Sequence, residues 1–566
     1  MKVFKISLAQ FNPVVGAVEE NTQRILDLAE KAADEGSSLV IFPELAISGY
    51  FPQDLLFDPS FLRANLQALR RLENAGLPIT LITGHILTKG SDLYNSAAVI
   101  NPGEETRFIT KTLLPTYDVF DEQRYFKKGL NKEPLLLNLN GHPVRTGIEI
   151  CEDLWDMYYE EKVTRDLAAA GADLIINISA SPFSSGKAET RCRLVTDKVR
   201  EFRIPFIYNN LVGAQDELIF DGNSFISGSD GNILMQCPSF SESLQHCTLT
   251  LPADQNNPGG SVFKTNEAPH SAPFRDQSSC FHTDSDAEMF EALSLGIRDY
   301  FRKTGFSEAL LGLSGGIDSA LVAVLAAHAL GPENVYAYSL PSQFSSDHSR
   351  SDARELADNL GIHYDSIAIE GTYHAFMNEL KPRFADLPFG LAEENLQARI
   401  RGTLLMSLSN KFNRLLLSTA NKTEAALGYS TLYGDMAGAL SPVADLNKLE
   451  VYALCRYYNR LKGQNIIPVT ILEKTPSAEL AEKQVDPFDY EVVSPLVEDI
   501  LEERKSFSEL AAAGYDRALL RRIMDLITRA EYKRKQAAPV LRVSEKAFGT
   551  GRRMPIVNRY QDTEEI

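Results

Sequence analysis

Two long stretches of this chain alternate short apolar runs with helical spacing. In the first, residues 3–9 read as a strand. Residues 21–36 then place Ile25, Leu28, Ala29 and Ala32 on one helical face before Gly36 ends it. Compact apolar runs at 39–43, 81–84, 97–101, 144–150, 174–178 and 206–209 predict further strands. In the second stretch, helices are predicted over 287–304, 318–330, 348–360 and 394–412. Strands are predicted at 309–313, 335–340, 363–369 and 414–419, between those helices. That alternation predicts a doubly wound α/β domain, a parallel sheet covered on both faces. Ligands on such sheets sit beyond the carboxyl ends of strands, here residues 312–319, 341–346 and 419–424.

The texture changes between the two stretches. Residues 252–285 are rich in proline, glycine, asparagine and serine and predict an inter-domain crossing. The expected domains are therefore 1–251 and 286–566, which suits a length of 566 residues. A hydrophobic share of 44% provides for real cores, and 23% charged residues argue against wholesale disorder. The formal net charge of -19 opposes nucleic-acid or anionic-membrane partners, so any anionic ligand must be held by local donors and cations. Six cysteines (Cys151, Cys192, Cys237, Cys247, Cys280 and Cys455) form no C-x-x-C pair and no zinc spacing. Lys5 and Gln10 interrupt the opening apolar run, so no signal peptide is expected there, and no apolar stretch is long enough to span a bilayer. A cytoplasmic enzyme is the expectation.

Residues 312–319 read Gly312-Leu313-Ser314-Gly315-Gly316-Ile317-Asp318-Ser319, between a predicted strand and a predicted helix. Two adjacent glycines let backbone N–H groups close around an anion, and the helix aims its positive end at the same place. Ser314 and Ser319 add hydroxyls, and Asp318 can hold a cation. The lysine-bearing G-x-x-x-x-G-K-[ST] cradle is absent. A second centre emerges from three strand ends, which carry Glu44, Lys111 and Cys151. Together these residues can run acyl transfer. The glutamate takes the thiol proton, the thiolate attacks an amide carbon, and the lysine stabilises the oxyanion. The same glutamate can then activate water against the thioester.

The S-G-G-x-D-S run resembles the loop of the ATP pyrophosphatases, which split ATP to AMP and pyrophosphate. The Glu44, Lys111 and Cys151 segments resemble the nitrilase, or carbon–nitrogen hydrolase, superfamily over about residues 1–250, with Glu122 similar to that family's second glutamate. Nearly the whole chain resembles the glutamine-dependent NAD+ synthetases. That resemblance implies a nitrilase-like α-β-β-α sandwich followed by a Rossmann-like ATP-pyrophosphatase domain. It implies a ligase that uses glutamine-derived ammonia to amidate deamido-NAD+ after adenylylation by ATP. The products would be NAD+, AMP, pyrophosphate and glutamate. By the same resemblance Tyr117, Ser181 and Lys187 bind glutamine. ATP falls to residues 312–319 with Thr419, Lys448 and Ser477, the last where threonine is commoner. Asn395, Arg399, Glu424 and Lys533 are similar to deamido-NAD+ contacts, and Asp318 with Glu424 would hold Mg2+. Phe344 stands where a tyrosine is usual, and Leu432 where shorter, ammonia-dependent relatives carry lysine. The implied partners are these small molecules and a second copy of the chain in a homo-oligomer, with neither nucleic acid nor membrane.

Three other readings compete. A different amidotransferase would share the ATP chemistry. A tRNA thiolation enzyme would need a sulfur-carrying cysteine near the loop and a basic face, and neither is evident. A nucleotide-sensing module with dead sites would have no reason to keep Glu44, Lys111, Cys151 and Asp318 together.

Overall fold

A computed structural model describes residues 1–130, 132–252 and 284–560. Cys280 and most of the 252–285 crossing lie outside the described residues. The chain divides into two compact units, Met1–Gln215 with Ile219–Thr283, and Asp216–Leu218 with Asp284–Ile566.

Among the described residues the first unit holds two six-stranded sheets. One contains β1 (Lys2–Gln10), β2 (Leu39–Ile41), β3 (Thr80–Lys89), β4 (Asp92–Ile100), β5 (Arg107–Thr110) and β14 (Ser243–Leu251), in the order β14-β1-β2-β3-β4-β5. The other contains β6 (Leu135–Leu139), β7 (His142–Ile150), β8 (Leu174–Ser179), β9 (Phe206–Asn210), β12 (Phe225–Ser227) and β13 (Ile233–Gln236), in the order β13-β12-β9-β8-β7-β6. β10 (Val212–Gln215) and β11 (Leu218–Asp221) form a separate ribbon. The two-residue period of a strand sorts the core. On β8, Leu174, Ile176 and Ile178 join Phe4, Ile6 and Leu8 of β1 in one cluster between the sheets. Ile175 points the other way, to Leu167, Cys192 and Val195 on the helices Val163–Ala169 and Lys187–Phe202. This is the α-β-β-α sandwich. Two of its strands exceed expectation: β3 and β4 run on into a hairpin through Gly90, and β14 closes the sheet edge antiparallel to β1.

The second unit carries a parallel sheet of β15 (Ala309–Gly312), β16 (Val335–Ser339), β17 (His363–Ser366) and β18 (Leu415–Leu417), ordered β17-β16-β15-β18. β17 stops short of the predicted 363–369 because its partner β16 ends at Ser339: the Ile367 N–H still donates to the Ser339 carbonyl, and the Ile369 N–H donates to the Pro341 carbonyl beyond that strand. β18 is shorter than 414–419: its pairing with β15 ends at Leu417, and the Ser418 N–H donates instead to the carbonyl of Leu440, which bridges Leu417. The helix Ile317–Leu330 is apolar around most of its circumference and correspondingly buried. Helices absent from the sequence reading, Tyr490–Leu501, Phe507–Ala512 and Arg517–Arg529, pack Leu496, Leu510 and Ile523 beneath Ala426 and Leu427. Among the described residues no helix is long and apolar enough to cross a membrane.

Candidate active sites

The first site forms where β2, β5 and β7 end. Gly84 on β3 passes so close to the Glu44 turn that a Cβ would lie 1.9 Å from the Leu45 nitrogen, which makes glycine obligatory there. Lys111 follows β5 directly, and its N–H donates to the Asn95 carbonyl at 2.8 Å. Its Nζ donates to Glu44 Oε1 and to Glu122 Oε1, both at 2.7 Å, with all three side chains fully buried. Asn95 Nδ2 donates to Glu44 Oε1 at 2.7 Å, the Ala180 N–H to Glu44 Oε2 at 2.8 Å, and the Tyr50 hydroxyl to Glu122 Oε1 at 3.0 Å. Cys151 sits at φ 46° just past β7, a left-handed conformation that a non-glycine residue adopts only when its surroundings hold it.

The holder is Asp153. Its Oδ2 accepts from the Ile150 N–H at 3.0 Å, and its Oδ1 accepts from the N–H groups of Thr112 and Leu113 at 3.0 and 2.7 Å. One buried carboxylate thus ties the Cys151 turn to the Lys111 turn. Burial pushes Asp153 up to about 7, against the pull of those N–H donors.

Electrostatics define the resting state. Burial and then Glu44 push the Cys151 thiol up, with Lys111 pulling the other way, so the sulfur rests as a thiol and needs a base. Burial works against the Lys111 charge, but Glu122 and Glu44 outweigh it and hold the ammonium well above the ordinary lysine value. Glu122 is pushed up to about 7 by burial, with Lys111 opposing and Glu44 adding to the rise.

The three glutamine candidates border this centre. The Tyr117 hydroxyl donates to both oxygens of Glu152, each at 3.1 Å, next to the nucleophile. Lys187 Nζ lies 4.3 Å over the ring of Trp155, at the end of the 3-10 turn that Cys151 opens. Ser181 is buried beside Ala180, its N–H donating to Asn210 Oδ1 at 2.9 Å.

Glu149, on β7, has an effect of its own. It is buried, accepts from Thr164 Oγ1 at 2.9 Å and Asn177 Nδ2 at 3.1 Å, and is raised to about 8 by burial and the Asp153 charge. The folded chain therefore keeps this proton up to about pH 8, whereas the unfolded chain releases it near 4.5. Stability falls as pH rises between those values. Glu149→Gln is expected to gain roughly 2–4 kcal/mol at pH 8 and little at pH 4.5. Calorimetric melting at both pH values checks this; equal gaps at both would contradict it.

The second site is a cavity of about 300 Å³ beyond the carboxyl ends of β15, β16 and β18. Gly315 has φ 77°, and a Cβ there would lie 2.3 Å from the Ser349 carbonyl oxygen. The glycine admits the helix Asp347–Leu360 to the loop; Ser314, Gly316 and Asp318 line the cavity, whereas Gly315 does not. The Ser314 N–H donates to Ser319 Oγ at 3.3 Å, and Ser319 Oγ donates to the Gly316 carbonyl at 3.0 Å, so the loop is pre-formed. Asp318 accepts from Asn421 Nδ2 at 2.9 Å and from Lys448 Nζ at 2.6 Å, and Glu424 lies 3.6 Å from the same Nζ. Burial and Asp318 push Glu424 up to about 8, the strain of two carboxylates sharing one ammonium. Burial opposes the Lys448 charge, but Asp318 and Glu424 hold its value above the usual one. Thr419 and Ser477 also line the cavity.

Asn395, Arg399 and Lys533 do not line this cavity; all three brace one turn beside it. Asn395 Oδ1 accepts from Thr431 Oγ1 at 2.7 Å, Arg399 Nε donates to the Leu432 carbonyl at 3.2 Å, and Lys533 Nζ donates to the Gly428 and Ser430 carbonyls at 2.8 and 2.7 Å. Arg401, two residues beyond Arg399, lines the cavity instead, its Nε donating to the Leu340 carbonyl at 2.9 Å. Sequence reasoning missed Arg401, Asp153, Asn95, Tyr50 and Glu152. Of these, only Glu152 and Asp153 had a signal, an acidic pair directly after the nucleophile.

Known proteins match both units. The carbon-nitrogen hydrolase family pattern matches residues 5–253, and that of NAD synthase matches 289–537. The glutamine-dependent NAD(+) synthetase of Synechocystis sp. is 42% identical over 576 residues, covering 99% of each chain. That of Thermotoga maritima is 41% identical, covering 99% of this chain and 100% of its own. The solved structure of the Acinetobacter baumannii glutamine-dependent NAD+ synthetase, in complex with ADP, is 35% identical and covers 100% of both chains with a TM-score of 0.76. The Cytophaga hutchinsonii structure, 22% identical over 98% of both chains with a TM-score of 0.81, shares the fold. On identity and coverage of this order, the chain belongs to the glutamine-dependent NAD(+) synthetase family.

Proposed function

We propose that the unit ending near residue 251 hydrolyses glutamine and that the unit beginning near 286 uses the ammonia to convert deamido-NAD+ into NAD+. The observation that carries this is the pairing, in one chain, of a buried Glu44–Lys111–Cys151 constellation with a glycine-rich anion loop facing an acidic pair. Glu44 takes the Cys151 proton as the sulfur attacks the side-chain amide carbon of glutamine. Lys111 Nζ, fixed between Glu44 and Glu122, donates to the developing oxyanion. Glu44 passes the proton to the leaving nitrogen, and ammonia departs. It then deprotonates a water that cleaves the thioester to glutamate. Tyr117, Ser181 and Lys187 are proposed to hold the amino-acid end of glutamine.

In the second unit the 312–319 loop and the start of the helix Ile317–Leu330 hold the pyrophosphate portion of ATP, with Lys448, Thr419 and Ser477 beside it. The nicotinate carboxylate of deamido-NAD+ attacks the α-phosphate, pyrophosphate leaves, and ammonia displaces AMP. Asn395, Arg399 and Lys533 serve deamido-NAD+ by shaping the 428–432 turn. Asp318 and Glu424 suit Mg2+: two carboxylates converge on one ammonium, and a divalent ion needs only one or two carboxylates with phosphate oxygens and water. When bound there, Mg2+ supplies neutralisation of the polyphosphate charge. The same proposal includes a homo-oligomer. The substrates are metabolites of the cytoplasm, and the proposal places the enzyme there.

Incubation with glutamine, ATP, Mg2+ and deamido-NAD+ is expected to yield NAD+, AMP, pyrophosphate and glutamate in equal amounts. AMP release without NAD+, with another acceptor amidated instead, would transfer the reading to a different amidotransferase.

A further inference from the structure

Lys422 belongs to the 419–424 segment, yet it does not line the ATP cavity. The helix Lys422–Leu427 turns its two faces to different tasks. Asn421 and Glu424 face Asp318 and Lys448, while Lys422 points down into the protein with none of its surface exposed. Its Nζ donates to Glu498 Oε2 at 2.9 Å, Glu502 Oε1 at 2.6 Å and Ser544 Oγ at 3.1 Å, and lies 3.3 Å from Asp445 Oδ1.

Both arms that hold Asp318 begin at this cluster. One is short: Asn421, next to Lys422, caps the helix by accepting from the Glu424 N–H at 3.0 Å and donates to Asp318 Oδ1 at 2.9 Å. The other runs through residues 445–448. Asp445 lies against Lys422, and Asn447 Nδ2 donates to Glu498 Oε1 at 3.4 Å. Asn447 also caps the next helix, Lys448–Lys462, whose first residue donates to Asp318 Oδ2 at 2.6 Å. Each oxygen of the Asp318 carboxylate is thus held by a residue rooted in the Lys422 cluster. Asp445 extends the root to the C-terminal segment, accepting from the N–H groups of Val543 and Ser544, both at 2.8 Å.

A lysine sealed among three carboxylates is a poor device for stability, because desolvation offsets most of the attraction. It is a good device for geometry, since moving any member leaves a buried charge unpaired. We infer that Lys422 is a positioning residue of the synthetase site: by clamping the starts of the helices Lys422–Leu427 and Lys448–Lys462 together, it sets the orientation of the Asp318 carboxylate toward ATP. This rests on the proposed use of the cavity for ATP and goes beyond it.

The test separates positioning from stability. Lys422→Gln leaves three facing carboxylates, and Lys422→Gln/Glu502→Gln removes one of those charges together with the cation. For the wild-type chain and both variants one measures calorimetric binding of ATP without deamido-NAD+, KM and kcat for ATP in ammonia-driven synthesis, and melting temperature. Glutamine hydrolysis serves as the folding control. The double variant is expected to melt closer to the wild-type temperature than Lys422→Gln does, yet still bind ATP about tenfold more weakly, with KM for ATP raised in the same proportion, as loosening of the Asp318 hydrogen bonds would give. Wild-type ATP affinity in the double variant would overturn the inference, as would a loss in Lys422→Gln that follows melting temperature and disappears in the double variant. Should the wild-type chain bind ATP but make no NAD+, the functional reading fails while the ATP measurement still decides the role of Lys422.

Discussion

Cys151→Ala is expected to remove glutamine-driven NAD+ synthesis, by roughly 10^4-fold or more, and to leave ammonia-driven synthesis intact. The sulfur is the only atom proposed to bond to substrate in the first unit, and no neighbour can replace it. Glu44 and Glu122 are locked on Lys111, and Asp153 is engaged with three backbone N–H groups. Alanine is smaller than cysteine, so the buried Lys111 pair remains in place. NAD+ formed from glutamine and from ammonium chloride, measured side by side, checks the division. Equal loss with both nitrogen donors, in a variant that still melts cooperatively, would mean that Cys151 serves the second reaction as well.

Asp318→Ala is expected to behave differently and remove synthesis from both donors, by about 10^3-fold, since polyphosphate neutralisation is worth several kcal/mol. Glutamine hydrolysis should persist. The carboxylate accepts from Asn421 and Lys448, and its loss leaves the Lys448 ammonium with Glu424 alone, at 3.6 Å. ATP-dependent AMP release, followed with either nitrogen source, reads the effect. Retained AMP release would remove Asp318 from the ATP site. The two variants form a pair, one selective for the nitrogen donor and one indifferent to it.

Features carried by neighbouring residues could be read before any fold was known. The 312–319 loop is one, because a tight turn, a helix start and two hydroxyls follow one another in the chain. The parallel sheet is another, since the apolar runs 309–313 and 335–340 needed only their spacing to be recognised. Glu44, Lys111 and Cys151 stood out through their strand ends and their resemblance. Nothing local said that Lys111 would lie between Glu44 and Glu122, or that Asn95 and Ala180 would hold Glu44 from two sides. Those contacts join residues up to 136 positions apart. They depend on how two sheets stack, a matter of packing that no window of sequence contains.

The same distinction separates Arg399 from Arg401 and Lys422 from Asn421. Their residue types and spacing were visible, but side-chain direction on a helix depends on which face its neighbours cover. Helix Leu391–Phe412 turns Arg401 into the cavity and Arg399 toward the 428–432 turn. The helix Tyr490–Leu501 draws Lys422 downward through Glu498. Order along the chain was enough to name the chemistries. Their geometry came from burial, which selects among equally plausible side chains by the cost of leaving a charge or a polar group without a partner.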